Sequence, residues 1–256
     1  MIIVVNKWFC RLGNNIMQIK NILHIALYYN YGIQIPNHPL FEKHIINNVN
    51  SDCDKNVKLT DKNNFFNLDN SKFDNIIFEK NNEKVIEIMK KSFKIKNVKP
   101  LNENDLVIYI RSGDIFSARP HEQYIMPPLS YYIKILSNHS YDKIILVSQD
   151  RKNPVINELL KLYPNIIYNK NNLVDDIKII LSARTIVECF GTFSPELLQL
   201  SDNIVEIIRP SYQYTTCTVK DRVKLKIIPL NEYRKLLTPW RNTPYQRDLM
   251  LKYKID

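Results

Sequence analysis

Glycine is scarce, with four residues in 256 at Gly13, Gly32, Gly113 and Gly191. Glycine-rich phosphate loops need several closely spaced glycines, and neither GxGxxG nor GxxxxGK(S/T) occurs, so the dinucleotide and P-loop readings lack their signature. Cysteine is equally sparse. Cys10, Cys53, Cys189 and Cys217 are widely scattered with no CxxC pair, which argues against a structural zinc site and against a disulfide scaffold. No His-x-x-x-His pair occurs, which removes the metallopeptidase signature. No apolar run is long enough to read as a membrane span. The opening Met1 to Val5 is apolar, but Asn6-Lys7 break it at once, too soon for a signal h-region, and no basic leader precedes it. Together these absences imply a soluble, cytoplasmic protein without a transmembrane segment.

Length, apolar content and positive charge are present in quantity. A 256-residue chain that is 45% hydrophobic buries roughly 70% or more of its unfolded surface, so its core needs no covalent or metal staple. Lys and Arg number 36 against 26 Asp and Glu, a net charge of +10. That surplus attracts anions: nucleic acid, an acidic membrane or a small phosphorylated ligand. The basic residues form no tract and do not interleave with aromatics, so nucleic acid is the less favoured partner. The 30 asparagines and the heavy use of Ile and Lys point to coding bias as one source of the lysine excess.

Along the chain, Met1 to Val5 reads as a buried strand and Lys7 to Asn15 as a turn. A helix from about Asn15 to Tyr29 follows, with Ile16, Ile19, Leu23 and Ala26 on one face. Residues 47–75 read as polar loops, and Glu79 to Phe93 as a helix. From Leu106 strands and helices alternate: strands at Leu106–Ile110, Lys143–Val147, Ile166-Ile167, Thr185–Cys189 and Ile204–Ile208, and helices at Leu129–Leu136, from Asn153-Pro154, at Asp175–Ser182 and Thr192–Leu200. Such alternation is the signature of a doubly wound parallel sheet, whose ligands sit at the carboxyl ends of the strands. The expected architecture is α/β, two facing Rossmann-like halves with a cleft between them. Residues 1–100 are expected to form an N-terminal α/β domain, 101–235 a C-terminal α/β domain, and 236–256 a C-terminal helix that packs back across the halves.

Polar clusters fall at three expected strand ends: Arg111 to Asp114, Ser148 to Asp150, and Phe190 to Ser194. Arg111 is the leading candidate, because a guanidinium presents five donors in a rigid fork suited to a diphosphate; the alternative is that it pairs with Asp114 and fastens a turn. Gly113 lets the backbone turn sharply, and Asp114 orients the loop or Arg111. Thr192 and Ser194 form an anion nest, an ordinary N-cap, or both, with Pro195 at the first helical position. Asp150 and Asp176 can accept from ribose hydroxyls or base N–H groups, or Asp176 can be a first-turn acid. Asn14 and Asn15 line the acceptor side of the cleft, or simply make a Gly-Asn turn. Asp52-Cys53-Asp54 has the D-x-D form of metal-dependent transferases, but its polar loop context reads as solvated surface.

Several of these residues match a known pattern. Arg11-Leu-Gly-Asn-Asn15 with Gln18 looks like the glycine turn and helix that open the α-1,2-fucosyltransferases. Ile110-Arg-Ser-Gly-Asp114 resembles the His-x-Arg-x-Gly-Asp motif of the fucosyltransferase superfamily, which also holds the α-1,6- and protein O-fucosyltransferases, with Tyr109 where the family usually has His. Asp175-Asp176-Ile177, Leu181-Ser-Ala183 and Thr192-Phe193-Ser194 are similar to its donor-site helix, strand and turn. The resemblance implies a GT-B-like fold, with residues 1–100 as the acceptor-side domain and 101–235 as the nucleotide-sugar-binding domain. It implies an inverting, metal-independent transferase moving a sugar, fucose from GDP-fucose, to a hydroxyl on a glycan, protein or small molecule, with no cofactor. It implies Arg111 on the β-phosphate, Thr192, Phe193 and Ser194 near the donor phosphates, and Asp175 or Asp176 on the base. It also makes Glu122 the general base, with His121 and Asp114 as alternatives. Two other readings stand beside it: a polyanion-binding protein with an inactive transferase-like fold, and another nucleotide-phosphate-handling α/β enzyme.

Overall fold

The computed structural model describes residues 1–52, 57–60, 65–66, 80–168, 170–213 and 223–255. Cys53, Asp54, Glu79 and Cys217, named above, lie outside the described residues, as does much of the polar stretch 47–75. The chain divides into two compact units, Met1–Asn97 and Val98–Asp256.

The first unit is built on three parallel strands, β1 (Ile2–Val4) between β2 (Gly32–Gln34) and β3 (Lys58–Leu59). Helix α1 (Leu12–Tyr29) joins β1 to β2. Its residues Ile16, Ile19, Leu23 and Ala26 are wholly buried, as their spacing predicts. The turn expected over Lys7 to Asn15 is shorter. The chain bends at Cys10, whose φ is 57°, and Gly13 and Asn14 already belong to the first turn of α1. Two helix side chains hold the preceding loop: Gln18 Oε1 accepts from the Phe9 N–H at 2.7 Å, and Asn15 Nδ2 donates to the Phe9 carbonyl at 2.9 Å. Among the described residues the unit also holds helices α2 (Lys43–Asn47) and α3 (Asn82–Ser92).

In the second unit six strands, all parallel, lie in the order β6-β5-β4-β7-β8-β9. They are β4 (Asp105–Tyr109), β5 (Lys143–Val147), β6 (Ile167–Tyr168), β7 (Thr185–Val187), β8 (Glu206–Pro210) and β9 (Lys224–Ile228). Numbered from β4, the order is 3-2-1-4-5-6, the doubly wound arrangement that reverses direction between its first and fourth strands. Strand β4 is buried at every position, which explains its unbroken apolar run. At the other extreme, β9 is an edge strand whose lysines face outward. Those lysines hide it from a hydrophobic pattern.

Between the strands run α4 (Leu129–Ser137), α5 (Pro154–Leu162), α6 (Leu173–Ser182) and α7 (Phe193–Leu198), followed by α8 (Asn231–Leu237) and α9 (Pro244–Lys252). Helix α7 starts at Phe193, so Pro195 occupies the third helical position rather than the first. That is tolerated because the first four helical N–H groups have no intrahelical partner to lose. The single helix expected over 236–256 is instead the end of α8, a break through Pro239, and α9, capped by Thr243 and Gln246. Helix α9 packs on α4 and α5 of its own unit. Within the break, Trp240 is buried and its Nε1 donates to the Ile115 carbonyl at 2.8 Å, which ties the C-terminal segment to the turn after β4.

Candidate functional site at the reversal of strand order

Where strand order reverses, the connections leaving β4 and β7 depart to opposite faces of the sheet and open a crevice at their carboxyl ends. The polypeptide leaving β4 carries Arg111, Ser112 and Gly113 into a short 3-10 turn, Gly113–Phe116, and the one leaving β7 carries Glu188 to Thr192. Gly113 has φ +72°, a left-handed conformation that other residues adopt at a cost. The segment after β5 braces this turn. Asp150 Oδ1 accepts from the Ser112 hydroxyl, from the Gly113 N–H at 3.2 Å and from the Lys152 N–H at 3.0 Å. Asn153 N–H donates to Ser112 Oγ at 2.9 Å, and Asn153 Nδ2 donates to the Arg111 carbonyl at 3.1 Å. Burial pushes the Asp150 carboxyl up, but these donors and the Lys152 charge outweigh it and hold the group below the usual carboxylate range. Asp150 therefore shapes the Arg111 turn.

Arg111 is held on three sides. Its backbone N–H donates to Cys189 Sγ at 3.1 Å. Its Nη2 donates to Asp114 Oδ2 at 3.3 Å, and its guanidinium carbon lies 4.3 Å from the centroid of the Tyr124 ring. Beneath it lies Gly191, where a Cβ would come within 2.8 Å of Arg111 Nη1. Gly191 is itself fixed by Gln213, which accepts from its N–H and donates to its carbonyl, both at 3.0 Å. The result is a planar cation with one face on an aromatic ring, placed by three strand ends. Its side chain remains 16% exposed, enough to meet a ligand. Gly191 has φ +140°, which L-residues rarely adopt. Gly191→Ala is therefore expected to cost about 1–3 kcal/mol in urea unfolding and to displace the guanidinium. Unchanged urea stability in that variant would show that the position tolerates a side chain.

The other candidates gather on the same carboxyl edge to different degrees. Tyr109, at the position where the resembled motif has His, is buried and packs on Phe193 with ring centroids 5.4 Å apart. Thr192 is half-buried at the N-cap of α7, and Ser194 is buried within its first turn. Asp175 and Asp176 lie in the first turn of α6, where the Asp175 N–H donates to Asn172 Oδ1 at 3.0 Å. Burial pushes the Asp176 carboxyl up, against a hydrogen bond from Asn171 and with a further push from Asp175. His121 stacks on Tyr124, with centroids 4.6 Å apart, and so adjoins the ring that covers Arg111. Its Nδ1 accepts from the Gln123 N–H at 3.3 Å. Glu122 Oε1 stands 2.9 Å from Arg241 Nη2 in an exposed ion pair. Asn14 lies in α1 of the first unit, apart in sequence and in unit from all of these.

Sequence reasoning missed Tyr124, Asn153, Cys189 and Gln213, which hold the arginine in place. Each is separated in sequence from the residue it holds, and no local pattern marks it. Two open pockets flank the cluster: one of about 320 Å³ lined by Asp150, Arg151, Tyr168 and Lys170, and one of about 760 Å³ lined by Gln123, Asn231, Arg234 and Thr238 among others. Among the described residues, no group of three or more His, Cys, Asp or Glu is placed to hold a metal ion. No described helix is long and apolar enough to cross a membrane.

No protein-family model and no curated protein matches the chain. Among solved structures it is similar to POFUT1 in complex with GDP, at 12% identity over 88% of this chain and 97% of the other, with a TM-score of 0.47. It is also similar to the E. coli ADP-heptose LPS heptosyltransferase II, at 11% identity over 89% of each chain and a TM-score of 0.46. A third likeness is to the NodZ alpha-1,6-fucosyltransferase co-crystallised with GDP, at 9% identity over 83% of this chain and 95% of the other, with a TM-score of 0.45.

Proposed function

We propose that the chain is an inverting, metal-independent glycosyltransferase that takes a sugar from a nucleoside diphosphate sugar, with GDP-fucose as the first donor to test. The observation that carries this reading is the Arg111 guanidinium, seated on Gly191 and backed by Tyr124 at the reversal of strand order. In sugar transfer the acceptor oxygen attacks the anomeric carbon. The bond from that carbon to the β-phosphate oxygen breaks, and the diphosphate leaves with the electron pair. Negative charge grows on the leaving group, so a preorganised guanidinium binds it more tightly in the transition state than in the ground state. The second unit holds the donor. Thr192, Phe193 and Ser194 contact the phosphates beside Arg111, and Asp175 or Asp176 reads the base.

The acceptor proton must go to a base. His121 is oriented against that role, because an Nδ1 that accepts from a backbone N–H places the neutral ring's proton on Nε2, which can only donate. Asp114 is paired with the catalytic cation itself. Glu122 is paired only with Arg241, both side chains being more than half exposed. Such a pair contributes about 0–1 kcal/mol, little enough for an acceptor hydroxyl to displace it. Glu122 is thus the proton acceptor in this reading. Calorimetry with GDP-fucose, UDP-sugars and dTDP-sugars tests the proposal, with transfer measured in EDTA. Binding of one donor and EDTA-resistant transfer are expected; no binding of any nucleotide sugar would overturn it.

A further inference from the structure

We propose that Glu188 and Arg209, a buried charged pair outside the residues assigned above, are positioning residues that lock the 189–191 turn against Arg111. Their effect on diphosphate binding rests on the function proposed above; their effect on the turn does not.

Glu188 is the first residue after β7, and Arg209 lies in β8. The β7–β8 register pairs Val187 with Ile208, and the Glu188 N–H continues the ladder to the Ile208 carbonyl at 2.8 Å. The two charged residues are therefore lateral neighbours on one face of the sheet. Glu188 is 0% exposed and Arg209 3%, and Arg209 Nε stands 3.5 Å from Glu188 Oε2. Such a pair is weak support for stability, since apolar residues of similar volume in its place are often neutral or stabilising. Its place in the fold suggests another use. Glu188 is followed directly by Cys189, whose sulfur receives the Arg111 N–H, and then by Gly191, on which the guanidinium lies. Beyond Arg209, the same β8 chain supplies Gln213, which clamps Gly191 from the other side. The turn under Arg111 is thus gripped at one end from β8 and at the other from the segment just after it.

The groups facing Glu188 are Arg209 from β8, Ser194 from α7, Tyr131 from α4, and Cys189 on its own strand end, with Arg111 beyond the sulfur. Tyr131 donates its hydroxyl hydrogen to the Glu188 carbonyl at 3.0 Å. Burial pushes the Glu188 carboxyl up to about 7, against the pull of Arg209 and Ser194. Burial also sends Cys189 to about 12 and Tyr131 well above its ordinary value, so of this group Glu188 alone titrates near neutrality. A carboxyl raised on folding binds a proton in the native state that the unfolded chain has released. Its stabilising contribution is full below the unfolded value near 4.5 and is lost as pH rises through about 7.

The test compares the whole chain with Glu188→Gln from pH 5 to 9 by three readouts. The first is the alkylation rate of buried Cys189, followed by peptide mapping with exposed Cys10 as internal control. The second is the pH dependence of Tm, and the third is GDP affinity by calorimetry. At pH 8 the variant is expected to alkylate at Cys189 about tenfold faster or more, as local opening of the turn requires. The wild-type-minus-variant Tm difference should fall as pH rises through about 7, and GDP affinity should be several-fold weaker in the variant. If Glu188→Gln fails to fold, the double variant Glu188→Leu with Arg209→Met is used, and the same faster alkylation is expected of it. Equal Cys189 rates and a featureless difference curve would overturn the proposal. A wild type that binds no GDP while the Cys189 rates differ would remove GDP-fucose as the donor and leave the positioning role supported.

Discussion

Arg111→Ala is expected to lower turnover by about 10²-fold or more with little change in Tm. The loss is catalytic because the guanidinium meets a charge that is larger in the transition state than in the bound donor. Stability changes little because the side chain meets a partly exposed Asp114 and the face of Tyr124, neither in the apolar core. Arg111→Lys is expected to be nearly as damaging. An ammonium keeps the charge but loses the planar fork and the flat face that rests on Tyr124. Single-turnover kinetics with calorimetric donor affinity separates the outcomes. Turnover close to wild type in folded Arg111→Ala would eliminate the diphosphate role and most of the case for a transferase. A lowered Tm with activity falling only in proportion to folded protein would reassign Arg111 to fastening the turn with Asp114.

Glu122→Gln is expected to lower kcat by about 10²- to 10⁴-fold, the range for removing a general base, with donor affinity unchanged. Glutamine preserves shape and can still meet Arg241 through its amide oxygen, so the weak exposed pair is a minor loss. Asp114→Asn is expected to behave differently, raising the donor Kd because it loosens Arg111, which it now orients at 3.3 Å. Full activity in Glu122→Gln with loss in His121→Ala would move the base to the imidazole and require its ring to turn from the Gln123 N–H.

Strands β4 and β5 were legible because each is a continuous β-branched and apolar run ended by polar residues, and a buried parallel strand has no other way to look. Helix α1 was legible from Ile16, Ile19, Leu23 and Ala26, although its start was not. That start depends on Gln18 and Asn15 reaching back to Phe9, contacts with no periodic signal. Strand β9 escaped notice because an edge strand protects itself with lysines, and lysines erase the hydrophobic pattern. Pro239 and Pro244 were visible in the sequence, yet the aromatic residues of 236–256 suggested one helix. Trp240 is buried in the break between the two helices, not along a helical face.

By itself the sequence determined the alternation of strand and helix after residue 105 and the emergence of Arg111 from the end of a buried strand. Both are properties of neighbouring residues, written in apolar periodicity and in where it stops. Only the tertiary structure decided what surrounds that arginine. Strand order 3-2-1-4-5-6 places β7 beside β4, and so sets Gly191 and Cys189 against Arg111, with Tyr124 over its face and Gln213 behind the turn. Which strands become neighbours depends on how crossovers bury the helices of one sheet on both faces, a balance summed over the whole unit. No stretch of sequence near Arg111 carries that sum, and the same is true of Glu188 and Arg209, which become a pair only when β8 lies beside β7.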